Sequence, residues 1–179
     1  VRLVFHKDRF GRGGDHLPFL EAGSPAVRFT EAREDYRHQH QTPRVADGVE
    51  YGDLTKFMDF DVLAQVARLN ADAIVRLANA PAPPSSAIAE GAVKPDTTVT
   101  FEAGEDAERL GFELLTRDTT EARWTILKKV DATGSHTLSG VRIDDAEFAV
   151  RSVGRNGERS IAVFAKPQVR RPPGAPQAK

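Results

Sequence analysis

Four of the chain's five histidines lie between positions 6 and 40, in a stretch that also holds Gly11, Gly13, Gly14 and Gly23. Imidazoles titrate near neutral pH and ligate metals, and glycines give a loop the backbone freedom that a site needs. Residues 8–43 are therefore where chemistry is expected. His38 and His40 are two apart; in an extended segment such residues point to the same side, so the pair can face a metal ion or a substrate carboxylate. The plainer reading is two loop histidines hydrogen-bonded to water or backbone. Glu34 and Asp35 stand close enough in sequence to accept from an imidazole N–H, and read equally well as surface acids. Asp15 reads as a helix cap and His16 as a ring packed under the glycine loop. The run RFGRGGDH puts three glycines ahead of a helix start, as anion-binding loops do. It has neither the dinucleotide spacing nor the Lys-Ser/Thr of a P-loop, so no phosphate site is expected. Arg9 and Arg12 can receive a carboxylate but read rather as partners of neighbouring acids, and His136 is expected in a solvated turn.

These residues need elements to hold them. Residues 1–6 and 25–30 read as short β-rich strands, with an intervening helix over 15–22 that has Asp15 as cap, Pro18 in the first turn and Gly23 as a left-handed stop. Strand, helix and strand in succession predict a parallel α/β sheet. Residues 31–54 read as a long loop. Asp59 and Asp61 precede apolar residues at helical spacing, Leu63, Val66, Ala67, Ile74 and Leu77, with Asn70 among them, which predicts a helix of about five turns ending before Pro81. Its apolar face calls for more strands than this chain supplies. Residues 81–86 (PAPPSS) read as the stiff core of an interdomain linker over 81–95. Beyond it the period falls to two. Short alternating strands at 98–101, 110–114, 124–130, 137–138, 148–153 and 160–164 predict an antiparallel sandwich over 96–165, with Asn156-Gly157 as a hairpin turn. Residues 166–179 read as a disordered tail.

Composition narrows the function. The balance of 25 basic and 26 acidic residues gives no electrostatic footprint for nucleic acid or an anionic membrane. Without cysteine any metal must be held by His, Asp or Glu. No apolar run approaches the ~20 residues needed to cross a bilayer. The apolar run at the start of the chain reads as the interior of a sheet, so the chain is expected to be the C-terminal portion of a longer polypeptide.

The series GGDHLPFLEAGSPAVRFTE, then DYRHQHQTP, then a long helix resembles the C-terminal third of a co-catalytic dizinc exopeptidase domain. That family includes bacterial secreted aminopeptidases and the glutamate carboxypeptidase II group. Its Ser-Asp-His-x-x-Phe segment corresponds to Asp15, His16 and Phe19, its Gly-x-Pro-Ala turn to Gly23, Pro25 and Ala26, and its final zinc-ligand histidine to His40 before Gln41-Thr42. The second half, with Trp124 and EFAVRSVGRNGERSIAVFA, is similar to the fibronectin type III-like module of some secreted members. The resemblance implies an α/β fold over 1–80, the C-terminal portion of a mixed-sheet phosphorylase/hydrolase-like zinc peptidase domain, followed by an all-β fibronectin type III-like sandwich. It implies two zinc ions in the full-length enzyme and a peptide substrate cleaved as by an aminopeptidase. It also implies a secreted or periplasmic location. His40 is the metal ligand it points to, with His38 the alternative; Phe10, Asp15 and His16 would line the substrate cleft and Tyr36 would contact the oxyanion or substrate. No catalytic residue is expected within the chain, because the general-base Glu and the remaining ligands belong upstream of Val1. The sequence departs from the family at Gly14, where Ser is common, at Gln39, where several members carry an aromatic residue, and at Pro43-Arg44-Val45, where an acid often follows the histidine. The alternative reading is a catalytically inactive member that binds peptides or proteins as an ectodomain.

Overall fold

The structure is a computed structural model that describes residues 13–31, 35–105 and 109–168; the expected strand over 1–6 and Phe10 lie outside these. The chain divides into two compact units, Val1–Asp72 and Ala73–Lys179.

In the first unit, helix α1 (Leu17–Glu21) carries Pro18 in its first turn, as expected. Gly23 ends it at φ 82°: the Gly23 amide donates to Leu20 O at 3.0 Å and the Ser24 amide to Phe19 O at 2.8 Å. This crossed pair is the Schellman closure that only a left-handed residue permits. The N-cap is His16, and no side chain caps the helix, so Asp15 does not serve as expected. Residues 25–30 are not in a strand, since a strand needs a ladder partner and the described residues provide none. Nor does a parallel α/β sheet form among them. The sheet of this unit is instead an antiparallel hairpin, β1 (Arg44–Ala46) and β2 (Val49–Tyr51), within the stretch expected to be loop. Asp47 and Gly48 make its turn at φ 51° and 74°, the two positive values of a type I′ turn. A 3-10 turn, Thr55–Phe57, follows.

Helix α2 (Phe60–Ala78) begins where Asp59 Oδ1 accepts from the amides of Asp61 and Val62, each at 3.0 Å, satisfying two otherwise orphaned donors. The cap expected of this acidic start is present. Its apolar stripe is open to solvent, with Leu63 49% and Ile74 66% exposed.

The second unit is a β-sandwich, as the alternating pattern predicts. One sheet orders β10 (Lys166–Pro167), β3 (Ser86–Glu90), β4 (Thr97–Glu102) and β7 (Gly134–Leu138); the other orders β6 (Thr125–Val130), β5 (Arg109–Arg117), β8 (Glu147–Gly154) and β9 (Val163–Phe164). Alternation sends Ala87, Val99 and Phe101 of the first sheet against Phe112, Leu114, Phe148 and Val150 of the second. Phe101 meets Phe112 edge to face at 4.7 Å. Outward, Thr98 and Thr100 bond to Thr137 and Ser135 of the neighbouring strand at 3.1 and 2.8 Å.

Two boundaries differ from the sequence reading. Strand β3 occupies the middle of the expected linker, and Pro81 and Pro84 are buried; the inward residues of β3 are the alanines 87 and 89, too small to give a visible period of two. The start of the expected tail, Lys166–Pro167, forms β10: after pairing with β8 the chain crosses at Ala165 to lie parallel to β3. Gly157 takes φ 82° at the expected Asn-Gly turn.

On the outer side of β5, Glu113 is buried at 1% exposure between Arg151 and Arg159. Burial pushes its carboxyl pKa up, but the hydrogen bonds from Arg159 and Arg151 outweigh this and hold it below the usual range. A carboxylate depressed in the folded state stabilises above its unfolded pKa of ~4.3 and loses that contribution as pH falls through the lower folded value. Glu113→Ala is expected to destabilise the sandwich by about 1–3 kcal/mol at pH 7. Glu113→Gln is expected to flatten the fall of stability below about pH 4.3. Denaturant unfolding across pH 2–7 checks both.

Candidate functional site

The segment bearing His38 and His40 is a turn rather than a strand, and this separates the two rings. His38 lies stacked on Phe57 with ring centroids 3.7 Å apart. Its Nε2 is 3.5 Å from Asp35 Oδ2, and its Nδ1 is buried without a hydrogen-bond partner among the described residues. Asp35 is itself clamped by the Arg37 guanidinium, which donates to both carboxylate oxygens. Those bonds hold the Asp35 carboxyl far below the usual range, so it stays ionised beside His38. His40 adopts φ 55°, the left-handed region that non-glycine residues seldom enter and His enters more readily than most.

His40 lines a cavity of about 610 Å³ together with Gly13, Gly14, Asp15, His16 and Gln39. The two sequence-distant motifs expected to meet, the Asp-His segment and the final histidine, thus border one space. His38 and Tyr36 do not line it, and Tyr36 is half exposed. The cavity wall includes two polar or charged side chains that the sequence reading did not assign to it, Arg28 and Asn70. Arg28 Nη1 donates to Gly13 O, and Asn70 Nδ2 donates to Val66 O at 2.8 Å. A signal for Asn70 was present, since it interrupts an otherwise apolar helical stripe.

Gly14 occupies a place with little room for a side chain. A Cβ there would stand 2.8 Å from His16 Nδ1 and 3.4 Å from Arg28 Cδ. The missing side chain lets the imidazole and the arginine stem close over the backbone.

The histidine turn has no ladder of its own and is held by the exit of the β1–β2 hairpin. The Gly52 amide donates to Arg37 O at 3.3 Å, and the His40 amide donates to Asp53 Oδ2 at 3.0 Å. Gly52 is buried at φ 127°, and a Cβ on it would lie 2.7 Å from Pro43 Cα. The 3-10 turn that follows supplies Phe57 to His38. Sequence reasoning missed Gly52 and Asp53; the Asp47-Gly48 pair was the signal that would have revealed the platform.

Imidazole and carboxylate donors are of the kind zinc accepts, so His40, His16 and Asp15 suit the edge of a metal site. No three His, Cys, Asp or Glu side chains converge among the described residues. The described residues therefore fit zinc as contributors to a site and do not enclose an ion by themselves.

No family model matches the chain. It is 40% identical over 171 residues to a protein of Pyrenophora tritici-repentis named "Probable zinc metalloprotease", covering 93% of this chain and 39% of that one. A protein of Pyricularia oryzae with the same name is 41% identical over 173 residues, covering 93% of this chain and 34% of that one. The chain thus spans less than two fifths of the length of these curated relatives. Among solved structures, a Fn3-like protein from Clostridium thermocellum covers 50% of this chain and 94% of its own, at 17% identity and a TM-score of 0.41. The fn3 domain of human collagen alpha-1(XX) covers 56% of this chain and 95% of its own, at 19% identity and the same TM-score of 0.41.

Gly52→Ala is expected to loosen the turn-on-hairpin assembly by about 1–3 kcal/mol, because it adds both a backbone clash and a strained φ. Amide hydrogen exchange should quicken at His40 and Gly52 while the amides of β5 and β8 keep their protection. The chain is similar over nearly its whole length to part of longer proteins named as zinc metalloproteases.

Proposed function

We propose that this chain forms part of a zinc-dependent peptidase, one wall of a cleft in which metal-activated water hydrolyses peptide bonds. The single observation that carries this is that Asp15, His16 and His40 border one cavity, in a chain about 40% identical over 93% of its length to proteins named as zinc metalloproteases. The finer reading is a dizinc exopeptidase acting at the N-terminal residue of its substrate, exported from the cytoplasm, with two zinc ions in the full-length enzyme.

Zinc bound at such a site would polarise the scissile carbonyl and lower the pKa of a bound water. In this reading the residues of this chain hold and shape. His40 offers an imidazole nitrogen from a backbone whose amide is bonded to Asp53. Asp15 and His16 border the space a peptide would enter. The general-base Glu and the other ligands would come from parts of the full-length protein other than these residues. Arg28 presents the one cationic side chain of the cavity wall among the described residues, where it can meet a polar or anionic group of the peptide.

His40→Ala in the full-length protein is expected to lower bound zinc by at least one ion per molecule and to abolish peptide hydrolysis, with the unfolding transition of the sandwich unchanged. Unaltered zinc content and turnover would remove His40 from the site. The isolated 179-residue chain is expected neither to retain two zinc ions through dialysis nor to hydrolyse aminoacyl substrates.

A further inference from the structure

Two features of His40 coincide. Its backbone sits at φ 55°, and its amide donates to a single carboxylate oxygen, Asp53 Oδ2, at 3.0 Å. Asp53 follows directly on Gly52, whose own amide donates to Arg37 O at the other end of the turn. The hairpin exit passes so close to Pro43 that a Cβ on Gly52 would stand 2.7 Å from Pro43 Cα. The oxygen that receives His40 is therefore anchored to the hairpin, and the turn between Arg37 and His40 is gripped at both ends.

The grip determines where the ring goes. Without it, His40 would relax to negative φ, the ordinary state of a non-glycine residue. The side chain would leave the wall it shares with Asp15 and His16. Rotation about φ of one residue re-aims its Cα–Cβ bond, and a metal tolerates errors of only a few tenths of an ångström in ligand position. His38, two residues earlier, shows the alternative fate: its ring is stacked on Phe57 and faces Asp35.

We infer that Asp53 is a positioning residue for metal binding, which acts through the His40 backbone by holding it in the left-handed conformation that presents its imidazole to the cavity. The inference rests on the reading of His40 as a zinc ligand. Asp53 touches neither the metal nor the substrate; its contribution is the hydrogen bond to the His40 amide.

The experiment compares Asp53→Ala, Asp53→Asn and His40→Ala in the full-length protein, by zinc competition with a chromophoric chelator and by amide exchange at His40. Asp53 is exposed, so its truncation opens no cavity and the variants should fold; unfolding midpoints verify this. Asp53→Ala is expected to weaken zinc binding about tenfold or more, the scale seen when a supporting hydrogen bond to a ligand is lost, and to accelerate His40 amide exchange. Asp53→Asn keeps an oxygen acceptor and should restore both to near wild type. If His40→Ala loses zinc while Asp53→Ala binds it as wild type does, the role given to Asp53 is wrong and the ligand assignment stands. If His40→Ala leaves zinc affinity unchanged, the ligand assignment fails and the role of Asp53 falls with it. A loss in Asp53→Ala that Asp53→Asn does not restore also overturns the role, since the amide bond would then not be what matters.

Discussion

A loop that carries a functional side chain must satisfy its backbone polar groups without a ladder of its own. In this protein that requirement falls on the turn around His38 and His40, and beside the bonds it makes to Asp35 the hairpin exit supplies two groups toward it: the Gly52 amide and the Asp53 carboxylate. Both stand at the exit of a hairpin only three residues long on each side. Shortness is an advantage here. A two-residue type I′ turn at Asp47-Gly48 fixes the register, and the register fixes where Gly52 and Asp53 emerge. The identity of residue 52 then matters for distance rather than for charge, because only glycine permits the approach to Pro43.

The sandwich answers to a different constraint. Its two sheets bury Phe101, Phe112, Leu114 and Val150 against one another, and its outer face buries Glu113 between two arginines. A buried carboxylate is tolerated only when it is paired, and the pairing links β5, β8 and the chain after β8 side by side. The final crossing from β9 to β10 pairs the chain with both sheets in turn and covers part of the outer edge of β3, which would otherwise present unpaired amides. By contrast, the first unit leaves the apolar stripe of α2 exposed. Leu63 and Val66 lie on the same helix face as Asn70, a residue of the cavity wall, so the helix that borders the site is also the one whose apolar face is bare.

Local features of the chain could be read directly from residue types. Asp59 ahead of an apolar periodic run specified the start of α2, and Gly23 specified the end of α1, since each acts within one helical turn. Alternation over 98–101 and 148–153 specified strands because it has a large amplitude, with Phe and Val facing in and Thr and Arg facing out. Strand β3 was hidden because alanines contribute little contrast. The hairpin of the first unit was hidden in a polar stretch, although Asp47-Gly48 marked its turn.

The sequence by itself determined that imidazoles and a flexible Asp-His segment are concentrated near one end of the chain, and that a helix and a β-sandwich follow. The tertiary structure alone decided which histidine faces the cavity. Equal spacing could not separate His38 from His40, because the alternation rule holds only for extended backbone and this segment is a turn. One ring went to Phe57 and the other to the space beside Asp15 and His16. His40 combines a positive φ with an amide bonded to a residue thirteen positions away, and no local pattern encodes that.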